Sequence, residues 1–374
     1  MFERIRGHSV TWERAAALRQ DIGDLFAVDN VTLDRPVVGQ VRFHGNFLCR
    51  LESCFDELRG RFEAHGFTPI VREEAGRPML IGVPGIFAAE ESNWVANLAL
   101  LILTVLSTLW VGALSEFAAQ GRPGAPGLSD LALGLPYSLS LMTILGAHEL
   151  GHYFAGRHHK TPVTLPYFIP FPLPPVGTMG AFIRLKAPIK NRRALLDIGA
   201  AGPLAGLVFA IPILLYGLSI SPVQPLPAGG YNLEGNSILY ALAKLLVKGQ
   251  FLPANGQDVF LSQIAWAGWV GLLVTGLNLI PVGQLDGGHI AYALLGRRAR
   301  LFYWPVIAGL VALALLSGTL MWGIWAALVF FLGRYHAEPL DDATDLDAGR
   351  RSVALFSLLL FVLVFVPVPL RQVL

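Results

Sequence analysis

A short run in the middle of the chain has the residue types and spacing of a metal site: His148-Glu149-Leu150-Gly151-His152. On a helix, histidines at positions i and i+4 lie on one face about one turn apart, so both can bind the same Zn²⁺. Glu149 stands beside them, where a carboxylate can hold a metal-bound water without being a ligand itself. The pattern therefore predicts hydrolysis by an activated water.

Zinc bound by two histidines needs a third protein ligand and keeps a fourth position for water. Asp286 is the candidate, in the segment 278–289 (NLIPVGQLDGGH) that follows a later apolar run. Pro281 ends that helix, and the glycines after it permit an irregular path that can aim a carboxylate inward. Alone, an Asp after a membrane helix is more often a solvated loop residue. Beside H-E-x-x-H at the same predicted depth, Asp286 becomes the predicted third ligand.

The elements that must position these residues are membrane helices. The 374 residues are 54% hydrophobic and only 14% charged, and the mean hydropathy is +0.55. A soluble domain carries roughly 25% charged residues, so the composition predicts an α-helical polytopic membrane protein. About seven runs approach the length of about 20 residues that a spanning helix needs. They lie near 94–114, 132–155, 195–218, 260–280, 301–317, 319–335 and 352–370.

Lys and Arg in the short loops predict the orientation of these spans. They gather after the second, fourth and sixth spans, at 157–193, 297–300 and 334–351, and are few after the first and third. This bias places the N-terminus and the active site on the cytosolic side. A bacterial inner membrane is the predicted location, with an organelle membrane as the alternative.

Residues 1–91 are rich in charge and predict a small cytosolic α+β domain. Its expected elements are a strand at 41–48, a helix at 53–64, and a hairpin of 68–71 with 78–83. Cys49 and Cys54 fit neither a disulfide framework nor a zinc-finger spacing, which favours a reduced compartment. The first residues lack the apolar run of a cleaved signal peptide. A net charge of +2 gives no electrostatic footprint for nucleic acid.

Two loops also carry structural information. Residues 162–175 (PVTLPYFIPFPLPP) are apolar but too rich in proline for a helix, so we expect an extended or re-entrant segment after the second span. Residues 177–183 predict a glycine-punctuated turn followed by a strand. The amphipathic stretch 237–247 predicts an interfacial helix on the outer side.

H-E-x-x-H in one membrane helix, with N-x-x-P-x-x-x-L-D-G in a later one, resembles the site-2 protease family of intramembrane zinc metalloproteases. The stretch 199–206 (GAAGPLAG) is similar to the family's glycine-rich helix. The proline-rich loop and residues 177–180 are similar to the family's re-entrant loop and the strand that follows it. The resemblance covers about 132–290 and shows no PDZ-like insert between the motifs. The residues that match are His148, Glu149, His152, Asn278, Pro281, Leu285, Asp286 and Gly287.

This resemblance implies one Zn²⁺ per chain, with His148, His152 and Asp286 as ligands and Glu149 as general base and then acid. Asn278 would bond the substrate or the oxyanion, or else only join two helices. A substrate strand would add to the segment 177–185, so the implied substrate-binding residues are Gly177, Thr178, Met179, Gly180, Phe182 and Asn278.

The predicted domains are 1–91, a first span and outer loop at 92–131, a metalloprotease core at 132–290, and C-terminal spans at 291–374. The implied partners are membrane-anchored protein substrates in the lipid bilayer, with no nucleic acid. A cytosolic regulator acting through residues 1–91 is a further hypothesis. The oligomeric state stays open.

Other histidines and glycines have simpler explanations. His158 and His159 fit interfacial cations, and His289 fits a loop residue or a partner of the ligand Asp286. Gly199, Gly202 and Gly206 are expected close-packing positions.

Rival functions lack such support. Another interfacial H-E-x-x-H protease would need a downstream Glu as third ligand, and Glu234 falls on the outer side. A zinc transporter would be expected to show internal repeats. A non-cutting scaffold would be expected to lack Glu149.

Overall fold

The structure, a computed structural model, describes residues 9–74, 76–87, 93–227, 229–334 and 338–373. The chain divides into two compact units. The first contains residues up to 90 together with Lys186–Leu195 and Glu338–Asp347, and the second contains the remainder.

The first unit is an α+β fold built on an antiparallel sheet with strand order β1-β2-β4-β3. The helix and three strands expected from the sequence are present with slightly different ends. Helix α1 and strand β1 were not predicted, because α1 is mostly polar and buries Ala15 and Leu18 on one narrow face. The elements are α1 Trp12–Asp21, β1 Phe26–Leu33, β2 Val41–Phe47, α2 Leu51–Ala64, β3 Phe67–Glu74 and β4 Arg77–Pro84.

Cys49 and Cys54 form a disulfide, so the sequence prediction of reduced cysteines is wrong. The chain turns between the end of β2 and the start of α2, and this turn brings the two Cα atoms to 6.4 Å. Local spacing alone gave no sign of this turn. The reduced state inferred from the sequence is therefore not the state of this structure.

The second unit is helical, and its described residues form three short two-stranded sheets. Two 3-10 helices, Leu128–Gly134 and Gly296–Phe302, lead into α4 and α9. The helices are α3 Trp94–Ala119, α4 Leu135–His158, α5 Arg192–Ile220, α6 Ile238–Lys248, α7 Gln263–Asn278, α8 Asp286–Leu295, α9 Tyr303–Ser317, α10 Leu320–Leu332 and α11 Ala348–Val364. The strands are β5 Tyr167–Pro170, β6 Thr178–Phe182, β7 Val223–Pro225, β8 Tyr231–Glu234, β9 Gln257–Val259 and β10 Leu370–Val373.

Within the described residues, four helical stretches are long and apolar enough to cross a membrane: Trp94–Ala119, Leu128–His158, Arg192–Ile220 and Asp286–Ser317. The chain is therefore a multi-pass membrane protein. The predicted fifth span forms only the end of the last stretch. The fourth, sixth and seventh correspond to α7, α10 and α11, which have 16, 13 and 17 residues, so seven full-length spans are not observed.

The proline-rich loop is extended as expected, and its strand β5 pairs with β6 in an antiparallel sheet. Strand β6 packs against α3 and α4. The amphipathic stretch expected at 237–247 is the helix α6, whose Lys244 is fully buried.

Candidate metal centre

Three helices contribute the polar residues of the predicted site. His148, Glu149 and His152 lie in α4, Asn278 is the last residue of α7, and Asp286 is the first residue of α8. An acidic residue in the first turn of a helix is favoured by the helix dipole.

Glycines permit the tight return between α7 and α8. A Cβ on Gly287 would lie 2.0 Å from the Leu279 carbonyl oxygen. Gly283 has a φ of +60°, and a Cβ there would lie 2.4 Å from Gly333 Cα. Side chains at these two positions would clash with backbone, so the close approach that returns Asp286 to the site requires glycine.

The three predicted ligands converge on one point. His148 Nε2 lies 3.2 Å from Asp286 Oδ2 and 3.2 Å from His152 Nε2. His152 Nε2 lies 3.3 Å from the same Asp286 oxygen. Both histidines are buried, at 3% and 6% exposure. Among the described residues, His148, His152 and Asp286 form a cluster that could hold a metal ion.

The geometry of this cluster fits zinc. Ligand atoms that surround a tetrahedral Zn²⁺ at 2.0–2.2 Å lie about 3.3 Å from one another, which is close to the separations observed here. His152 Nδ1 donates a hydrogen bond to the Ile198 carbonyl oxygen at 2.7 Å. In the neutral ring the lone pair is then on Nε2, the atom that faces the Asp286 carboxylate, and a cation between these two atoms would be bound by both.

Helix α5 packs closely on both histidines through its glycines. A Cβ on Gly202 would lie 2.0 Å from His152 Nε2, and one on Gly206 would lie 3.3 Å from His148 Cβ. A Cβ on Gly199 would lie 2.9 Å from His289 Cβ. The expected close-packing positions thus lie directly against the metal site.

Glu149 is only 4% exposed. Its Oε2 has no hydrogen-bond partner among the described residues. A buried carboxylate oxygen without a partner is costly, and a water or substrate group at the metal site would satisfy it. Asn278 Nδ2 lies 3.4 Å from His148 Nε2, so the amide borders the same site.

The predicted substrate-binding residues form β6 and the turn before it. Gly177 and Gly180 have φ values of +83° and +96°. Thr178 is buried and its hydroxyl donates to the Ile169 carbonyl oxygen at 2.8 Å. Met179 and Phe182 are 68% and 49% exposed. These two are the side chains of β6 that are available to a ligand.

His159, expected from the sequence to be an interfacial cation, lies against a carboxylate. Its Nε2 is 2.8 Å from Asp197 Oδ2, and the same oxygen pairs with Arg350. The pairing of Asp197 with Arg350 was not predicted, because these residues are far apart in the chain and match no motif.

Comparisons with known proteins agree with this geometry. Residues 136–317 match the model of peptidase family M50. The chain is 29% identical to the probable zinc metalloprotease EGY2, chloroplastic, of Arabidopsis thaliana over 93% of its own length and 64% of the relative's. It is 30% identical to EGY1 of Oryza sativa subsp. japonica, a probable chloroplastic zinc metalloprotease, over 74% of its length and 50% of the relative's.

Residues 136–317 of the chain belong to peptidase family M50. The family match includes all three metal-ligand candidates and Glu149, and the resemblance seen in the sequence is confirmed. This M50 chain spans less than two thirds of the length of its curated relatives. Their names place them in chloroplasts, which does not fit the bacterial inner membrane predicted from the sequence. No solved structure gives a significant match.

Proposed function

We propose that this M50 chain is a zinc-dependent intramembrane endopeptidase, which hydrolyses a peptide bond in or near the transmembrane segment of membrane-anchored proteins. The observation that carries this proposal is the buried cluster of His148, His152 and Asp286 beside Glu149, built on helices of spanning length. The names of the relatives, which are probable zinc metalloproteases, support it.

His148, His152 and Asp286 would hold one zinc ion. When bound, zinc supplies Lewis-acid chemistry that acidifies a water and stabilises negative charge on the peptide oxygen. Glu149 takes the proton of the attacking water on its unpartnered oxygen and delivers it to the leaving amine. The Asn278 amide donates a hydrogen bond to the substrate carbonyl group.

A helical substrate hides its peptide carbonyls, so it must unwind before it can be cut. Strand β6 is paired on one side by β5, and no other described strand pairs with it. The free edge of β6 can therefore accept an extended substrate segment, while Met179 and Phe182 contact its side chains. This role requires residues 162–183 to reach the substrate at membrane depth, as a re-entrant segment would.

We further propose that α7, α10 and α11 cross the membrane although they are short, which gives seven spans in all. This count agrees with the distribution of Lys and Arg among the loops. It places the N-terminus on the same side of the membrane as the ends of α4 and α7, and so on the side of the metal site. Residues 1–91 are then available to a regulator on that side.

The first test measures zinc content and cleavage of a model membrane-helix substrate in the wild type, Glu149→Gln and Asp286→Ala. We expect about one zinc per wild-type chain. Glu149→Gln should keep zinc and lose cleavage by several orders of magnitude, because it retains the ligands but not the base. Asp286→Ala should lose both. The control is Glu116→Gln, a half-buried glutamate of α3, which should keep both.

Cleavage by Glu149→Gln would contradict the assigned mechanism. A wild type that binds zinc but cuts no membrane helix would favour a transporter or a binding scaffold instead.

A further inference from the structure

Three helices of the second unit are joined by one ion-pair cluster that the proposed mechanism does not use. Asp197, near the start of α5, accepts hydrogen bonds from Arg350 in the first turn of α11, at 2.6–3.0 Å. His159, the C-cap residue of α4, lies 2.8 Å from the same carboxylate. The Asp197 and His159 side chains are 27% and 19% exposed, so solvent screens the cluster only in part.

Asp197 of this cluster is adjacent in sequence to a residue that contacts the metal centre. Ile198, which follows Asp197, accepts the 2.7 Å hydrogen bond from His152 Nδ1. A histidine ligand is oriented by the partner of its second ring nitrogen. The position of the α5 backbone at Ile198 therefore decides where His152 Nε2 points.

The two contacts form a clamp between α4 and α5. His152 and His159 are about two turns apart and lie on nearly the same face of α4. One binds the Ile198 carbonyl group and the other binds the adjacent Asp197 side chain. Arg350 adds α11 to this clamp by binding both oxygens of Asp197.

We propose that Asp197 and Arg350 are positioning residues of the metal centre. Their ion pair holds the first turns of α5 against α4, and thereby holds the Ile198 carbonyl group where it fixes the His152 ring. The inference rests on the proposed zinc site. It assigns to α11, which lies outside the family match at 136–317, a role in metal affinity.

The test compares Arg350→Met with Arg351→Met in the full-length protein. Both substitutions remove a cation from the same turn of α11, but Arg351 is exposed. Zinc affinity is measured by competition with a chelator, well below the melting temperature of each variant. Removing a group that orients a ligand typically costs 10–100-fold in metal affinity. We expect a loss of about 10-fold in Arg350→Met, none in Arg351→Met, and substantial recovery in Arg350→Lys.

Asp197→Asn keeps the size of the side chain and removes its charge, so it carries the test if Arg350→Met does not fold. It should weaken zinc binding to a similar extent. The double variant should bind zinc no more weakly than either single variant does, because the two residues act as one unit. The visible spectrum of the Co²⁺-substituted protein should change in both single variants, because the His152 ring is reoriented.

Unchanged zinc affinity in folded Arg350→Met and Asp197→Asn would overturn this proposal, even if their melting temperatures fell, because the pair would then be structural only. Absence of zinc from the wild type would instead refute the proposed function. The two failures are therefore distinguishable.

Discussion

At the scale of single residues, the metal centre depends as much on a missing side chain as on the ligands themselves. Gly202 in α5 faces the Nε2 atom of His152, and the space between them is smaller than one methyl group requires. The sequence marks Gly202 as a packing position of a glycine-rich helix. The structure shows that the atom it packs against is a proposed zinc ligand.

Gly202→Ala should therefore disable the site without altering any ligand. The added Cβ would lie 2.0 Å from His152 Nε2, so the ring or the helix must shift. We expect zinc affinity to fall by about 10–100-fold, with a matching loss of cleavage. Metal analysis after dialysis against a weak chelator measures this.

Gly146→Ala is the matched control for this prediction. Gly146 is a glycine of α4, and a Cβ there meets no atom within 4 Å. It should keep its zinc. Equal zinc affinity in the Gly202 and Gly146 variants would contradict the packing argument.

At the scale of elements, helix α3 anchors the segment that carries β5 and β6. Asn97 donates to the carbonyl oxygens of Leu165 and Pro166, both at 3.0 Å. The Ser107 hydroxyl donates to the Gly177 carbonyl oxygen at 2.6 Å and accepts from the Phe171 backbone N–H at 3.2 Å. A loop without helix or long strand is thus held by side chains of a neighbouring helix.

Ser107→Ala should loosen this segment and weaken substrate binding. It removes the hydroxyl that joins the two ends of the β5–β6 connection, so the Phe171 N–H and the Gly177 carbonyl oxygen keep only their 3.3 Å hydrogen bond to each other, at a cost of about 1 kcal/mol. We expect KM for a membrane-helix substrate to rise several-fold and zinc content to stay unchanged, because the metal ligands do not contact Ser107.

Ser115→Ala, at an exposed position of the same helix, is the control and should keep the wild-type KM. Loss of zinc in Ser107→Ala would show that the loop and the metal centre are not separable in this way.

At the scale of the whole molecule, the first unit is not a simple N-terminal domain. The chain returns to it at Lys186–Leu195 and again at Glu338–Asp347. Leu340 is 1% exposed in its core. The Val71 N–H donates to the Leu340 carbonyl oxygen, and the Leu340 N–H donates to that of Ile189, both at 2.8 Å.

Arg72 is the buried side chain that fixes the last of these segments. Its guanidinium donates to the carbonyl oxygens of Pro339 and Leu340 at 2.9 and 3.1 Å and pairs with Glu338. Arg72→Met should destabilise the first unit by about 1–3 kcal/mol for the unsatisfied groups, and should speed proteolysis within 338–347.

The control for this prediction is Arg77→Met, which removes an exposed cation from the neighbouring strand β4. Its cleavage pattern should match that of the wild type. The same packing implies that deletion of residues 1–90 would also expose Leu340.

The sequence by itself predicted the metal-binding cluster and the membrane setting. H-E-x-x-H needs only the helical repeat to place two histidines and a glutamate together, and low charge with long apolar runs is enough to require a bilayer. The position of Asp286 beside the two histidines was also predictable, because the loop charges predict that the ends of α4 and α7 lie on the same side of the membrane. The lengths of the fourth, sixth and seventh spans were overestimated, because hydropathy does not report where a helix ends.

Only the tertiary structure decided the contacts that cross large distances in the chain. The Ile198 carbonyl group that orients His152, the Asp197–Arg350 pair, the return of Leu340 to the first unit, and the Cys49–Cys54 disulfide match no local pattern. Each depends on how separate elements pack and turn, and the periodicity of a single segment carries no information about its neighbours in space. The cluster of His148, His152 and Asp286 could therefore be predicted from the sequence, but the residues that contact it from other elements could not.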